Sequence, residues 1–432
     1  MTSKTKTSAK KEEATHTLVP RLRFPEFQKS EGWKSKKLGD LFSDRQESGR
    51  TGLPLLSLMD KEGIVPQEDS NRKNNSNSDK SKYLRVVPGD IAYNTMRMWE
   101  GRSALVGLEG LVSPAYTVCE PQTGVHSLLF SYYFKTPQLI EQFRRYSQGL
   151  VKDTLNLKYA AFSRISAPIP NFPEQRKIAE CLSSVDELIA AEAGKLDALK
   201  THKKGLMQQL FPREGETQPR LRFPDFQNAG EWKQISFGKL GLDVSDGNYS
   251  SKYPRQSDFI EKGVPFLRAN NLRFGTVSDA EMRFISIEQH RQITKGHLKK
   301  GDILITTRGE LGVTALVPDR HIGSNINAQI VRINAGKKLA NTFLFQLLDY
   351  SRTIGLFDAL STGTALKQLP IGKLNQLSLQ IPDLSTEQQR IADCLASLDD
   401  LIAAQTQKLD ALKTHKKGLM QQLFPSPEEV VV

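Results

Sequence analysis

Residues 195–212 read KLDALKTHKKGLMQQLFP, and residues 408–425 read the same eighteen letters. Upstream, the identity fades but the pattern continues: EQRKIAECLSSVDELIAA (174–191) matches EQQRIADCLASLDDLIAA (387–404) at the same offset. Eighteen repeated residues are a duplication. On a heptad ruler the first copy places Leu182, Ile189, Leu196, Lys203 and Leu210 at a, with Ile178, Val185, Glu192, Leu199 and Leu206 at d. The second places Leu395, Ile402, Leu409, Lys416 and Leu423 at a, with Ile391, Leu398, Gln405, Leu412 and Leu419 at d. Apolar residues sustained at a and d predict a coiled-coil seam. At ~1.5 Å per residue each helix is about 50 Å long. A helix with one apolar seam needs a partner, and the other copy supplies it.

The duplication extends beyond the helices. PRLRFPEF (20–27) recurs as PRLRFPDF (219–226), with the same spacing to Trp33 and Trp232. Between these ends the copies diverge, leaving echoes. GDIAYNTMRMWEGRSALVG (89–107) answers GDILITTRGELGVTALV (301–317), each reading as turn, strand, Arg-Gly loop and strand. SQGLVK (147–152) answers STGTALK (361–367). PLLSLM (54–59) and VPFLRA (264–269) read as strands, while 126–147 and 341–361 carry helical spacing. The polar stretch 71–81 reads as a loop. Each copy is therefore an α+β domain followed by a long helix. Asn171 with Glu174, and Ser385 with Gln388, have capping-box spacing, and Pro212 and Pro425 stop the helices. Gly205 and Gly418, inside the helices, suggest sites where another backbone approaches closely.

A chain of 432 residues has room for two or three domains. No apolar run approaches the ~18–20 residues of a membrane span. The first seventeen residues lack the apolar stretch of a secretory signal and read as a disordered basic tail. Three cysteines, Cys119, Cys181 and Cys394, give no disulfide framework, so a cytoplasmic location is expected. The net charge of +12 favours a polyanionic partner, most simply nucleic acid.

No phosphate loop, zinc-binding H-E-x-x-H, paired C-x-x-C, G-x-S-x-G elbow or Asn-Pro-Pro-aromatic methyltransferase motif occurs. His202 and His415, repeated beside the Lys-Lys pair, read as solvated surface. No catalytic residue and no metal site is expected. Two preserved helices must do one job twice. Two diverged domains must do different jobs of one kind, as a pair of readers does.

This order of domain, EQ-x-x-IA helix, domain and EQ-x-x-IA helix resembles the specificity subunit of type I restriction-modification enzymes. The motifs that carry it are Ile169-Pro170, Glu174-Gln175 and Ile178-Ala179, with Ile381-Pro382, Glu387-Gln388, Ile391-Ala392 and both KKGLMQQLF ends. The resemblance implies two target recognition domains, 18–172 and 213–385, each reading half of a bipartite, asymmetric double-stranded DNA target. It implies that helices 173–212 and 386–425 pair as an antiparallel coiled coil, with tails at 1–17 and 426–432. It further implies docking of two modification (DNA-methyltransferase) subunits and of motor-nuclease restriction subunits. S-adenosylmethionine, ATP and Mg²⁺ would bind those partners, and no cofactor this chain.

Base edges are read by Arg, Asn and Gln, and such side chains sit on loops held by a rigid scaffold. The Arg-Gly loops are the first candidates: Asn94, Arg97 and Arg102 in one copy, Thr306, Thr307 and Arg308 in the other. The Gly-Lys loops offer Gln148 and Lys152, and Thr362 and Lys367, as phosphate contacts, to which Lys158 and Arg164 add. A coiled-coil assembly scaffold explains the helices but not two diverged basic domains. A nuclease with an unrecognised site is a third reading. The expected pairing residues are Leu182, Val185, Ile189, Glu192, Leu196, Leu199, Lys203 and Leu206 against Leu395, Leu398, Ile402, Gln405, Leu409, Leu412, Lys416 and Leu419. A one-heptad slide from end-to-end overlap would set Glu192 against Lys416 and Lys203 against Gln405, so that polar positions meet.

Overall fold

The computed structural model describes residues 18–59, 63–70, 79–247, 252–363 and 367–425. The tails 1–17 and 426–432, and most of the polar stretch 71–81, lie outside the described residues. The chain forms two units whose boundaries fall inside the long helices. The first unit takes residues 1–190 and 410–432, the second 191–409.

Each unit holds a four-stranded antiparallel sheet of the same order. In the first, Phe42–Asp44 pairs with Tyr116–Pro121, then Ile91–Asn94, then Ser103–Leu105. In the second the order is Asp243–Asp246, Ile330–Asn334, Ile303–Thr306 and Thr314–Leu316. The Gly-Asp pairs before Ile91 and Ile303 explain themselves locally. Gly89 and Gly301 take φ of 99° and 78°, which suits a residue without Cβ. Asp90 and Asp302 then accept the backbone N–H of Val87 and Lys299, closing the turn into the strand. Burial pushes both carboxyls above the usual range.

The helical stretch 126–147 is two helices, Ser127–Tyr133 and Pro137–Tyr146, because Pro137 cannot continue the first and starts the second. The stretch 341–361 is likewise Asn341–Thr353 and Leu356–Leu360, divided at Gly355 in the left-handed conformation.

The long helices run Phe172–Leu210 and Ser385–Leu423, 39 residues each. All sixteen expected pairing residues are buried or half-buried. The segments pair antiparallel in each unit, but not with the expected slide. In the first, Lys416 Nζ donates to Asp186 at 2.6 and 2.7 Å. In the second, Gln405 Nε2 donates to Glu192 Oε2 at 2.6 Å, and Lys203 pairs with Asp399 at 2.7 Å. That is the end-to-end overlap. The slide assumed that a seam lysine needs a polar residue facing it. Instead each lysine extends its stem along the seam and puts its ammonium on an e-position aspartate, Asp186 or Asp399.

The shared sequence motifs form one lock per unit. Glu174, at the start of the first long helix, accepts two bonds of 2.8 Å from Arg23 and one of 3.2 Å from the Trp33 indole. Glu387 does the same with Arg222 and Trp232. Gln175 donates to the Pro170 carbonyl and accepts from His126 N–H. Gln388 donates to the Pro382 carbonyl and accepts from Ala340 N–H. The expected capping boxes are therefore incomplete. Asn171 accepts from Glu174 N–H at 2.9 Å, but the Glu174 side chain is committed to Arg23. Ser385 already lies within its helix, and Gln388 is committed elsewhere. No close approach occurs at Gly205 or Gly418, where an added Cβ would meet nothing within 4 Å among the described residues.

The same Arg-Phe-Pro segments also meet the end of a long helix. Leu22 N–H donates to the Gln422 carbonyl, and Leu221 N–H to that of Gln209. Beyond those carbonyls, Phe424 stacks on Tyr133 at 4.7 Å and meets Trp33 edge-on. Phe211 stacks on Tyr350 at 4.9 Å and meets Trp232 edge-on.

Candidate nucleic-acid interface

Three loops converge at one end of each four-stranded sheet, held by one threonine. In the first unit Thr95 N–H and hydroxyl donate to the Ala115 carbonyl, and its own carbonyl accepts from Leu157 N–H. In the second, Thr307 N–H and hydroxyl donate to the Gln329 carbonyl, and its carbonyl accepts from Leu369 N–H. The Arg-Gly and Gly-Lys loops, separate in sequence, are thus neighbours in both units. The Gly-Lys loops are closed by paired backbone bonds, Gln148 with Asn156 and Thr362 with Gln368.

The predicted side chains fall into two groups. Asn94 ends its strand and accepts Met96 N–H, shaping the turn. Arg97 and Arg102 both lie near Glu100, at 3.2 and 3.5 Å, and remain 43% and 37% exposed. Both guanidiniums thus sit beside one carboxylate at the loop surface. Lys152 and Lys158 are exposed. Lys367 is exposed and bonded to Asp358 at 2.7 Å. Arg308 lines an open cleft of about 590 Å³ with Tyr253, Asn327, Ala328 and Gln329. Thr306 and Thr307 differ from expectation. Both are buried; the Thr306 hydroxyl donates to the Glu310 carbonyl and accepts Val313 N–H, and that of Thr307 is held by Gln329. They build the loop and present no free hydroxyl to a base.

The third loop of each set escaped sequence reasoning. It comprises residues 113–116 in the first unit and 327–329 in the second. Gln329 carries an adenine-reading amide and is exposed, while buried Asn327 holds it, Nδ2 donating to Gln329 Oε1 at 3.1 Å and Oδ1 accepting Gln329 N–H. Their signal was their place just before the strand Ile330–Asn334, which tells nothing until the strand order is known. Among the described residues no His, Cys, Asp and Glu cluster could hold a metal ion. No helix among them is long and apolar enough to cross a membrane.

The Type I restriction modification DNA specificity domain matches this chain twice, at residues 30–201 and 243–414. The MjaVIII specificity subunit of Methanocaldococcus jannaschii is 24% identical over 80% of this chain and 82% of its own length. The putative MjaX specificity subunit of the same organism is 24% identical over 91% and 93%. Among solved structures, the type I S subunit from M. genitalium superposes with a TM-score of 0.59 at 14% identity, covering 95% of this chain and all of that one. A chain from a study of type I R-M assembly and conformational transition gives 0.54 at 16%, covering 91% and 98%. At such identities the likeness is one of fold.

Proposed function

Because the chain belongs to the family of type I restriction-modification DNA specificity subunits, in which the subunit recognises DNA and catalyses nothing, we propose that its two units read two different halves of one bipartite target. The observation that carries this reading is the repeated frame. Sheet order and threonine clasp are the same in both units, while the side chains on the three loops differ. A shared frame with divergent loops suits two readers of unlike sequences.

In this reading Arg97 and Arg102, and Arg308 with Gln329, face base edges in the major groove. Lys152, Lys158 and Lys367 contact phosphates. The eighteen identical residues dock two copies of one modification subunit, and restriction subunits join that complex. S-adenosylmethionine, ATP and Mg²⁺ belong to those partners, and the assembly works in the cytoplasm. The test is a map of N6-methyladenine across the source genome with and without this gene. A split motif with two unlike halves, lost with the gene, supports the proposal. An unchanged methylation map overturns it and favours an assembly scaffold.

A further inference from the structure

The Gly-Lys loop of the first unit carries the most exposed large apolar side chain among the described residues. Leu150 is 101% exposed, and Val151 beside it 61%. A single leucine in water is ordinary; this one differs because the loop holds it out. The loop is tied at its neck, where Gln148 and Asn156 exchange backbone bonds of 2.9 and 2.8 Å. Within it, Thr154 N–H donates to the Val151 carbonyl at 2.9 Å, and Val151 N–H donates to Thr154 Oγ1 at 3.3 Å. Gly149 packs against that turn. Its φ is 136°, and an added Cβ would lie 2.5 Å from the Thr154 carbonyl oxygen. The backbone of the tip thus faces the turn, and Leu150 projects into solvent.

The neighbours of this tip are fixed as well. Leu157 N–H, one residue past the neck, donates to the Thr95 carbonyl, which sets the loop beside Arg97 and Arg102. Met96, on that neighbouring loop, is 36% exposed. Across the two loops, 94–102 and 147–158, the cations are Arg97, Arg102, Lys152 and Lys158, and the acids are Glu100 and Asp153. An apolar tip therefore stands on loops of net positive charge.

Building on the DNA-facing role proposed above for these loops, we propose that Leu150 is a wedge. On binding, it enters between two neighbouring base pairs of the first unit's half-site, parts their stack and kinks the duplex. The occupant is duplex DNA because it offers both things the tip calls for. Its phosphates suit the cations, and the faces of a parted base step are apolar. Leucine is among the side chains that part such steps. The tied loop keeps Leu150 poised, so little conformational freedom is lost when it inserts. Unstacking costs least at a pyrimidine–purine step such as TA or CA. The first unit therefore favours a flexible step at a position where no side chain bonds a base edge.

The experiment uses the full chain co-purified with its modification subunits, and duplexes carrying the motif found by the methylation map. The fluorescent adenine analogue aminopurine, which brightens when unstacked, is placed in turn at each step of the motif. Brightening at one step is expected with the parent and with Leu150→Met, and none at that step with Leu150→Ser. Affinity should fall about 10-fold in Leu150→Ser, since an aliphatic side chain no longer leaves water on binding. Thermal unfolding should be the same for all three proteins, because Leu150 is fully exposed. No brightening at any step overturns the wedge, and so does brightening that persists in Leu150→Ser. Failure of Leu150→Ser to retain the modification subunits also overturns it, and makes the tip a protein dock. A genome with no motif lost on removing the gene sinks the DNA-reading function and the wedge together; a motif retained by a Leu150→Ser complex that binds as tightly as the parent sinks the wedge alone.

Discussion

Glu174 is 1% exposed, and Arg23, which donates to it twice, is 8% exposed. Removing one partner of a buried pair leaves a charge without solvent or counter-ion. Glu174→Ala should therefore destabilise the first unit by about 3–5 kcal/mol, read in urea unfolding, and Glu387→Ala the second unit similarly. The loop side chains should separate by function. Arg97→Ala or Arg308→Ala should relax preference at one base, at about 1–3 kcal/mol, in binding to permuted duplexes. Lys152→Ala should weaken binding to every duplex and flatten its salt dependence. Lys367→Ala should do so less, because Asp358 already neutralises that lysine. The partition between Thr306, Thr307 and Arg308 was not legible in sequence. All three suit a DNA-facing loop by type, and only the fold shows which of them the turn uses for itself.

The long helices were legible because their seam repeats over five heptads, and burial follows that seam. Their register was not. It depends on Asp186 and Asp399, which lie beside the seam and look like ordinary surface acids until a lysine reaches them. Glu192 shows what the register does to a charge. Bonds from Gln405, Lys408 and Lys195 hold its carboxyl down to about 2, below the ordinary 4.5. A depressed carboxyl stabilises the fold fully above its ordinary value and loses that contribution as pH falls through the folded value. Unfolding stability of the parent should thus drop between pH 4.5 and about 2 more steeply than that of Glu192→Gln, which has no proton to gain. Equal slopes would place the acid sensitivity elsewhere.

At the scale of the molecule, sequence reading divides the chain at the ends of the helices, whereas the units divide it within them. The duplication was plain, but letters in a row do not reveal that Gln422 and Phe424 complete a domain that begins near Leu18. Replacing 20–170 with the corresponding segment of a relative should change one half of the methylated sequence and leave the other, as read by methylome mapping. Phe211 and Arg222 are joined by a mostly exposed loop, and Phe424 meets Trp33 as Phe211 meets Trp232. A chain opened at Gly215 and joined by a linker from Pro425 to Leu18 should fold and bind the same duplex. Loss of cooperative unfolding would show that the two junctions are not interchangeable.

The stacking of Phe424 on Tyr133 also sets an order of birth. A ribosome delivers residues 1–190 first, yet their unit needs 410–424, which emerge last. The second unit, 191–409, is contiguous and can close earlier. Domains of a nascent chain usually fold from the N-terminus onward; here the first-made reader waits for the last-made helix turns. A product halted after Leu409 should show a protease-resistant second unit and a digestible first one. The first reader is therefore finished only on chains translated through Phe424.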